Sequence, residues 1–189
     1  MLIKILVVDD SASDRLIIKN MLSEYTVLTV CDGIEALRVL AENDEINLLI
    51  LDLNMPNMNG FQVLESLNRD ERFRKLRTII LTNYDELDNE IKGLKLGAVD
   101  YIRKPLHMDS LKARINVHVA LMRAQQALSQ KIDEHTLAFD RLFEEAPIGI
   151  AISHSRDPKH SDKDIIKINS AYEQITGRTK EELINLGWA

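Results

Sequence analysis

Apolar positions along the first hundred residues alternate between two spacings. Short, nearly continuous runs recur at Ile3-Lys4-Ile5-Leu6-Val7-Val8, Asn47-Leu48-Leu49-Ile50-Leu51, Thr78-Ile79-Ile80-Leu81 and Val99-Asp100-Tyr101-Ile102, with a weaker one at Thr26-Val27-Leu28-Thr29-Val30. Apolar on both faces and rich in β-branched side chains, they suit strands buried in a parallel sheet. Between them the spacing is helical. Leu16, Ile17, Met21 and Leu22 mark a first helix behind Ser13 or Asp14 as cap, and Ile34, Leu37, Val39 and Leu40 a second. Phe61, Val63, Leu64 and Leu67 mark a third, and Leu87, Ile91, Leu94 and Leu96 a fourth that Gly97 should stop. A fifth begins at Leu106. Parallel neighbours need crossover connections, so five strands alternating with five helices predict a doubly wound α/β sheet.

The fifth helix overruns its domain. No Gly or Pro follows Pro105 until Pro147, and heptad positions fall on Leu142, Phe139, His135, Ile132, Leu128, Gln125, Leu121 and His118. Such a stripe reads as a coiled-coil seam, weakened and put in register by its polar members. At about 36 residues the helix would run roughly 54 Å, longer than a small domain is wide. A second copy of the chain is therefore the expected partner, giving a homodimer through helix 106–142. The alternative is packing on its own domain. His118 and His135, about 25 Å apart along such a helix, are not a metal pair.

After Pro147, Ile148-Gly149-Ile150-Ala151-Ile152 and Ile165-Ile166-Lys167-Ile168 look like strands, separated by a polar stretch holding His154, Pro158 and His160. Ala171 to Ile175 looks helical, and Thr179 with Glu182 has capping-box spacing. The chain ends at Trp188-Ala189 in mid-pattern, which predicts the front part of a longer protein.

Composition narrows the class. The chain has 189 residues, 45% hydrophobic and 29% charged, with a net charge of −6. That mixture excludes disordered and fibrous classes, and the acidic balance argues against direct nucleic-acid binding. A lone Cys31 cannot form an internal disulfide and reads as an inert residue at a strand end. No apolar stretch approaches the roughly 18 residues of a membrane span, so a cytoplasmic location is expected.

The candidate chemistry lies at the strand ends, where doubly wound sheets bind ligands. Asp9, Asp10 and Asp52 all end predicted strands on that edge. Carboxylates this close repel by a few kcal/mol per pair, on the order expected in a partly dry crevice, and call for a cation. Oxygen-only ligands favour Mg²⁺. Lys104 adds an ammonium and Thr82 a hydroxyl at neighbouring strand ends, which equips the edge to stabilise a phosphoryl group. An isolated Asp at such a place is usually a helix cap, and Asp14, Asp32, Asp44 and Asp85 are read that way.

Residues 1 to about 120 resemble the receiver domain of two-component response regulators. The resemblance rests on Val7-Val8-Asp9-Asp10, Leu51-Asp52-Leu53-Asn54-Met55-Pro56 with Gly60, Leu81-Thr82, Gly97-Ala98, Asp100-Tyr101 and Arg103-Lys104-Pro105. It implies a flavodoxin-like sheet of order 2-1-3-4-5. It implies that Asp52 accepts a phosphoryl group from a histidine kinase or phosphotransfer protein. Mg²⁺ would be held by Asp10, Asp52 and the Asn54 backbone carbonyl, with Asp9 acting through water. Thr82 and Lys104 would hold the phosphoryl oxygens, and Thr82 with Tyr101 would form the switch pair. Asn54 and Tyr84 would tune phosphate lifetime, a bulky Tyr84 slowing the attacking water. A cis Lys104–Pro105 bond is also implied. Met55 and Met58 read as packing residues. A rival class, the haloacid-type phosphatases and phosphotransferases, also uses an Asp nucleophile at a strand end. It places a second Asp two residues later, where this chain has Asn54, and usually carries a cap domain for which there is no room.

Residues 143–189 resemble the beginning of a PAS domain, an α+β fragment, through Phe143-Glu144-Glu145-Ala146-Pro147-Ile148-Gly149-Ile150, Ile168-Asn169-Ser170-Ala171-Tyr172, Thr176-Gly177 and Glu181-Glu182-Leu183. The expected organisation is therefore a receiver at 1–120, a helical linker at 121–142 and a PAS fragment at 143–189. This chain would carry no independent enzyme beyond self-catalysed phosphoryl transfer and autodephosphorylation at Asp52. Kinship with receiver–PAS architectures points to a cyclic-dinucleotide enzyme as the output beyond it.

Overall fold

The computed structural model describes residues 3–83, 87–155, 163–179 and 181–183. They divide into two compact units, Met1–Arg123 and Ala124–Ala189. In the first, strands β1 (Lys4–Val8), β2 (Thr26–Val30), β3 (Ile46–Asp52), β4 (Arg77–Asn83) and β5 (Asp100–Lys104) form one sheet in the order β2-β1-β3-β4-β5. All four pairings are parallel. Helices α1 (Ala12–Met21), α2 (Gly33–Glu42), α3 (Gly60–Arg69), α4 (Leu87–Lys95) and the start of α5 (Met108–Glu145) make the crossovers and the closing layer.

Alternate residues of each strand point to opposite faces, and both faces are covered. Ile5, Val7, Leu48, Ile50, Ile79 and Leu81 pack with Ile18 of α1, with Leu22 just after it, and with Leu111, Ile115 and Val119 of α5. Leu6, Val8, Leu49, Leu51 and Ile80 pack with Ala36 and Leu40 of α2 and Val63, Leu64 and Leu67 of α3. This is why the strands read as unbroken apolar runs. Each fully buried Leu or Ile contributes roughly 1.5–3 kcal/mol.

The helix boundaries hold two corrections. Ser11, not Ser13 or Asp14, caps α1, its side chain accepting from the Asp14 N–H. The apolar spacing of α4 marks the helix but not its inward face: Leu87, Ile91 and Leu94 are exposed, while Glu90 and Gly93 are buried. Gly93 lies so close to the sheet that a Cβ would drive into Ile80. Glu90, 2% exposed, is held by Arg103 of β5 through two hydrogen bonds of 2.5 and 3.0 Å. The Arg103 bond holds the Glu90 carboxyl below the ordinary glutamate range despite burial. Its contribution is therefore present above that ordinary value and is lost as pH falls through the folded one. Glu90→Gln is expected to cost about 2 kcal/mol, discounted from a fully buried pair because Arg103 is partly exposed. Urea melts of both chains test this: the gap should close on acidification, and a gap that persists would contradict it.

Gly97, with φ of 100°, ends the α4 turn as expected. The first turns of α5 bury Leu111, Ile115, His118 and Val119, so this part packs on its own sheet. His118 thus leaves the predicted seam: its Nε2 lies 3.2 Å from Asp100. From Leu121 onward the heptad residues Leu121, Leu128, Ile132, Phe139 and Leu142 are exposed. None of the described helices is long and apolar enough to cross a membrane.

In the second unit β6 (Ala151–Ser155) pairs antiparallel with β7 (Lys163–Ile168), and α6 (Ser170–Thr176) follows. The first strand begins later than its apolar run, which starts at Ile148. The buried Asn169 explains this: its amide donates to the Phe143 and Ile148 carbonyls, and its oxygen accepts from the Ile150 and Tyr172 N–H groups. A side chain thereby satisfies backbone groups that a strand partner would otherwise take. Thr179 and Glu182 exchange the two hydrogen bonds of a capping box. His154 has no described side chain, and Pro158, His160 and Trp188 lie outside the described residues.

Candidate functional site

Sheet order and register deliver the chemistry to one edge. The order reverses between β1 and β3, and Val8 aligns with Leu51, so Asp9 and Asp10 leave β1 beside Asp52 at the end of β3. Asp52 aligns with Leu81 and Asn83 with Lys104, which brings Thr82 and Lys104 to the same edge. The loop after Asp52 is folded back tightly. Gly60 donates to the Leu53 carbonyl at 3.1 Å, and a Cβ on Gly60 would drive into the Asp52 carbonyl oxygen. An unanticipated capping box between Asn59 and Gln62 secures the start of α3 there. Met55 is buried and Met58 half-buried against the α2–α3 core, in keeping with a packing role.

Carboxylate oxygens of Asp9, Asp10 and Asp52 all lie within 4.8 Å of one another, with Asp9 and Asp52 buried and Asp10 exposed. Lys104 follows them as expected, its peptide to Pro105 cis. Its Nζ donates to Asp9 at 2.9 Å and to Asp52 at 3.1 Å. Burial disfavours the ammonium, but Asp9 and Asp52 outweigh it and raise the Lys104 pKa above its ordinary value. Asp52 is displaced upward too, by burial first and by Asp9 next, against the pull of Lys104. The cluster is thus short of positive charge, and its donors are all oxygens, the chemistry that suits a hard divalent cation.

The other predicted residues stand as follows. The Asn54 N–H donates to Asp52 Oδ1 at 3.4 Å. Thr82 is fully buried, and its hydroxyl donates to the Asn83 carbonyl at 3.5 Å. Tyr101 is half-buried, its ring flanked by the guanidiniums of Arg103 and Arg114 at 5.7 and 5.9 Å. Tyr84 and Asp85 lie outside the described residues. Asp32 caps α2, as expected. Asp14 is more than a first-turn acid: its carboxylate lies 3.3 Å from Lys104 Nζ. No local spacing signals this, because its partner is 90 residues away in sequence.

The raised Asp52 pKa has a consequence for stability. Between the unfolded and folded values the folded chain binds more protons, so stability falls as pH rises through that window. At neutral pH, without divalent cations, the ionised carboxylate is a cost. Asp52→Asn is expected to raise stability under those conditions, because the burial that lifts the carboxyl then no longer opposes a charge. A urea melt in chelator reads this; a lowered midpoint would contradict it.

The sequence model of the response regulator receiver domain matches residues 5–116. The chain belongs to the response regulator receiver domain family. Among curated relatives, a probable transcriptional regulator ycf27 of Porphyridium aerugineum is 41% identical over 114 residues, covering 59% of this chain and 46% of that protein. A probable cyclic di-GMP phosphodiesterase of Vibrio cholerae is 29% identical over 164 residues, 82% of this chain but 37% of that protein. This receiver chain thus spans less than half the length of either. A receiver domain crystal structure from Clostridium thermocellum superposes with a TM-score of 0.60 at 34% identity, covering 66% of this chain and 99% of that one.

Proposed function

We propose that this receiver takes a phosphoryl group on Asp52 from a histidine kinase or phosphotransfer protein. The observation that carries the reading is the Lys104 ammonium bridging Asp9 and Asp52 beside a three-carboxylate cluster. Asp9, Asp10, Asp52 and the Asn54 carbonyl would hold Mg²⁺, which supplies charge neutralisation for the transferring group. An Asp52 oxygen forms the bond to phosphorus as the bond to the donor's nitrogen breaks. Lys104 holds the phosphoryl oxygens from one side and Thr82 from another, after its hydroxyl leaves the Asn83 carbonyl. Tyr101 then turns from its place between Arg103 and Arg114 into the space Thr82 vacates. Incubation with acetyl phosphate tests the reading: modification in Mg²⁺ but not in chelator is expected, and equal modification in both would contradict it.

The modified state passes to α4 and α5, both of which carry exposed apolar side chains, and along the helix to a second copy. The reading divides the chain into a receiver at 1–120, a coiled-coil linker at 121–142 and the N-terminal part of a PAS domain at 143–189. The alignment with the Vibrio cholerae protein, which is longer than the receiver match, supports a cyclic-dinucleotide enzyme as the downstream output.

A further inference from the structure

The crevice contains a fourth carboxylate that the three-acid description leaves out. Asp14 sits in the first turn of α1, and that turn is fastened to Asp9 at two points and closed by its own cap. The Ser11 N–H donates to Asp9 Oδ1 at 2.8 Å, Ser11 Oγ accepts from the Asp14 N–H at 3.2 Å, and Arg15 Nη1 donates to the Asp9 carbonyl at 2.5 Å. Asp14 is therefore carried to Lys104 by a turn with little freedom. Its contact differs in kind from the other two. Lys104 donates hydrogen bonds to Asp9 and Asp52, whereas with Asp14 it makes an ion pair at 3.3 Å. The Asp14 side chain is 30% exposed, against 0% for Asp9 and 6% for Asp52. Water can replace the ammonium at Asp14 far more cheaply than at the buried pair.

We propose that Asp14 is a positioning residue of the phosphorylation site, holding Lys104 in the unmodified chain and yielding it to the incoming phosphoryl group. The proposal rests on Asp52 being the acceptor. Asp14 then sets the balance between the two charges the crevice must accept. An extra anion at this range favours a divalent cation and opposes an oxyanion, and it lends part of its field to Lys104, which the oxyanion needs. Removing it should move the two affinities in opposite directions. A merely structural role would weaken both together.

The test uses the whole chain with Asp14→Asn, and Asp14→Ala as a second variant in case the amide finds a new partner. Calorimetry reads Mg²⁺ binding, then beryllofluoride binding at saturating Mg²⁺. The expected result is Mg²⁺ affinity lowered and beryllofluoride affinity raised, each by roughly three- to tenfold, the scale of a partly exposed charge. Both affinities falling together, or beryllofluoride affinity unchanged, would overturn the proposal while leaving Asp52 as acceptor. Equal beryllofluoride binding by wild type and Asp52→Asn would instead overturn the acceptor assignment, and this proposal with it.

Discussion

Lys104→Met is expected to slow phosphorylation of Asp52 by acetyl phosphate about a hundredfold to a thousandfold, the usual cost of deleting one preorganised charge-stabilising donor. The reason lies in where the ammonium is held. Its Nζ is 3.1 Å from the Asp52 oxygen that it would share with the transferring group, and Asp9 anchors it from the buried side at 2.9 Å. No water can take its place with the same charge. The same variant should bind Mg²⁺ more tightly, because the three carboxylates lose a competing cation. That second readout separates the effect from unfolding. A time course of phosphorylation checks the first, and an unchanged rate would contradict the role given to Lys104.

Self-association is expected to fall at least a hundredfold in a chain carrying Leu128→Asp and Ile132→Asp, by about 1.5–3 kcal/mol for each apolar side chain withdrawn from a seam. Both residues are exposed in the single chain, as are Leu121, Phe139 and Leu142 at the same heptad positions. The α5 residues Leu111, Ile115 and Val119 pack on their own sheet and are untouched by the substitutions, so the double variant should leave the melting of the receiver unchanged. Sedimentation equilibrium reads the dissociation constant. Equal association of both chains would contradict a dimer along this helix.

What the amino-acid pattern made legible divides along a physical line. Strands buried on both faces announce themselves locally, and the five of the receiver were placed from that pattern, while their order came from the resemblance to receiver domains. The acid edge was legible for a similar reason: Asp9, Asp10, Asp52, Thr82 and Lys104 all lie at or just beyond the carboxyl end of a strand. Features that depend on a partner distant in sequence were not legible. Glu90 faces inward because Arg103 on β5 waits for it, and Leu87, Ile91 and Leu94 turn outward as a result. Asp14 reads as a capping acid until Lys104 is seen beside it. His118 has heptad spacing but is drawn inward against Asp100. In the second unit, the Asn169 side chain takes the backbone bonds that the apolar run from Ile148 had suggested for a strand.

The central claim is that Asp52 is the acceptor, and peptide mass mapping after acetyl phosphate and Mg²⁺ tests it most directly. Wild type should carry one phosphoryl group on the peptide containing Asp52, and Asp52→Asn should carry none. Equal modification of the two chains would contradict the account.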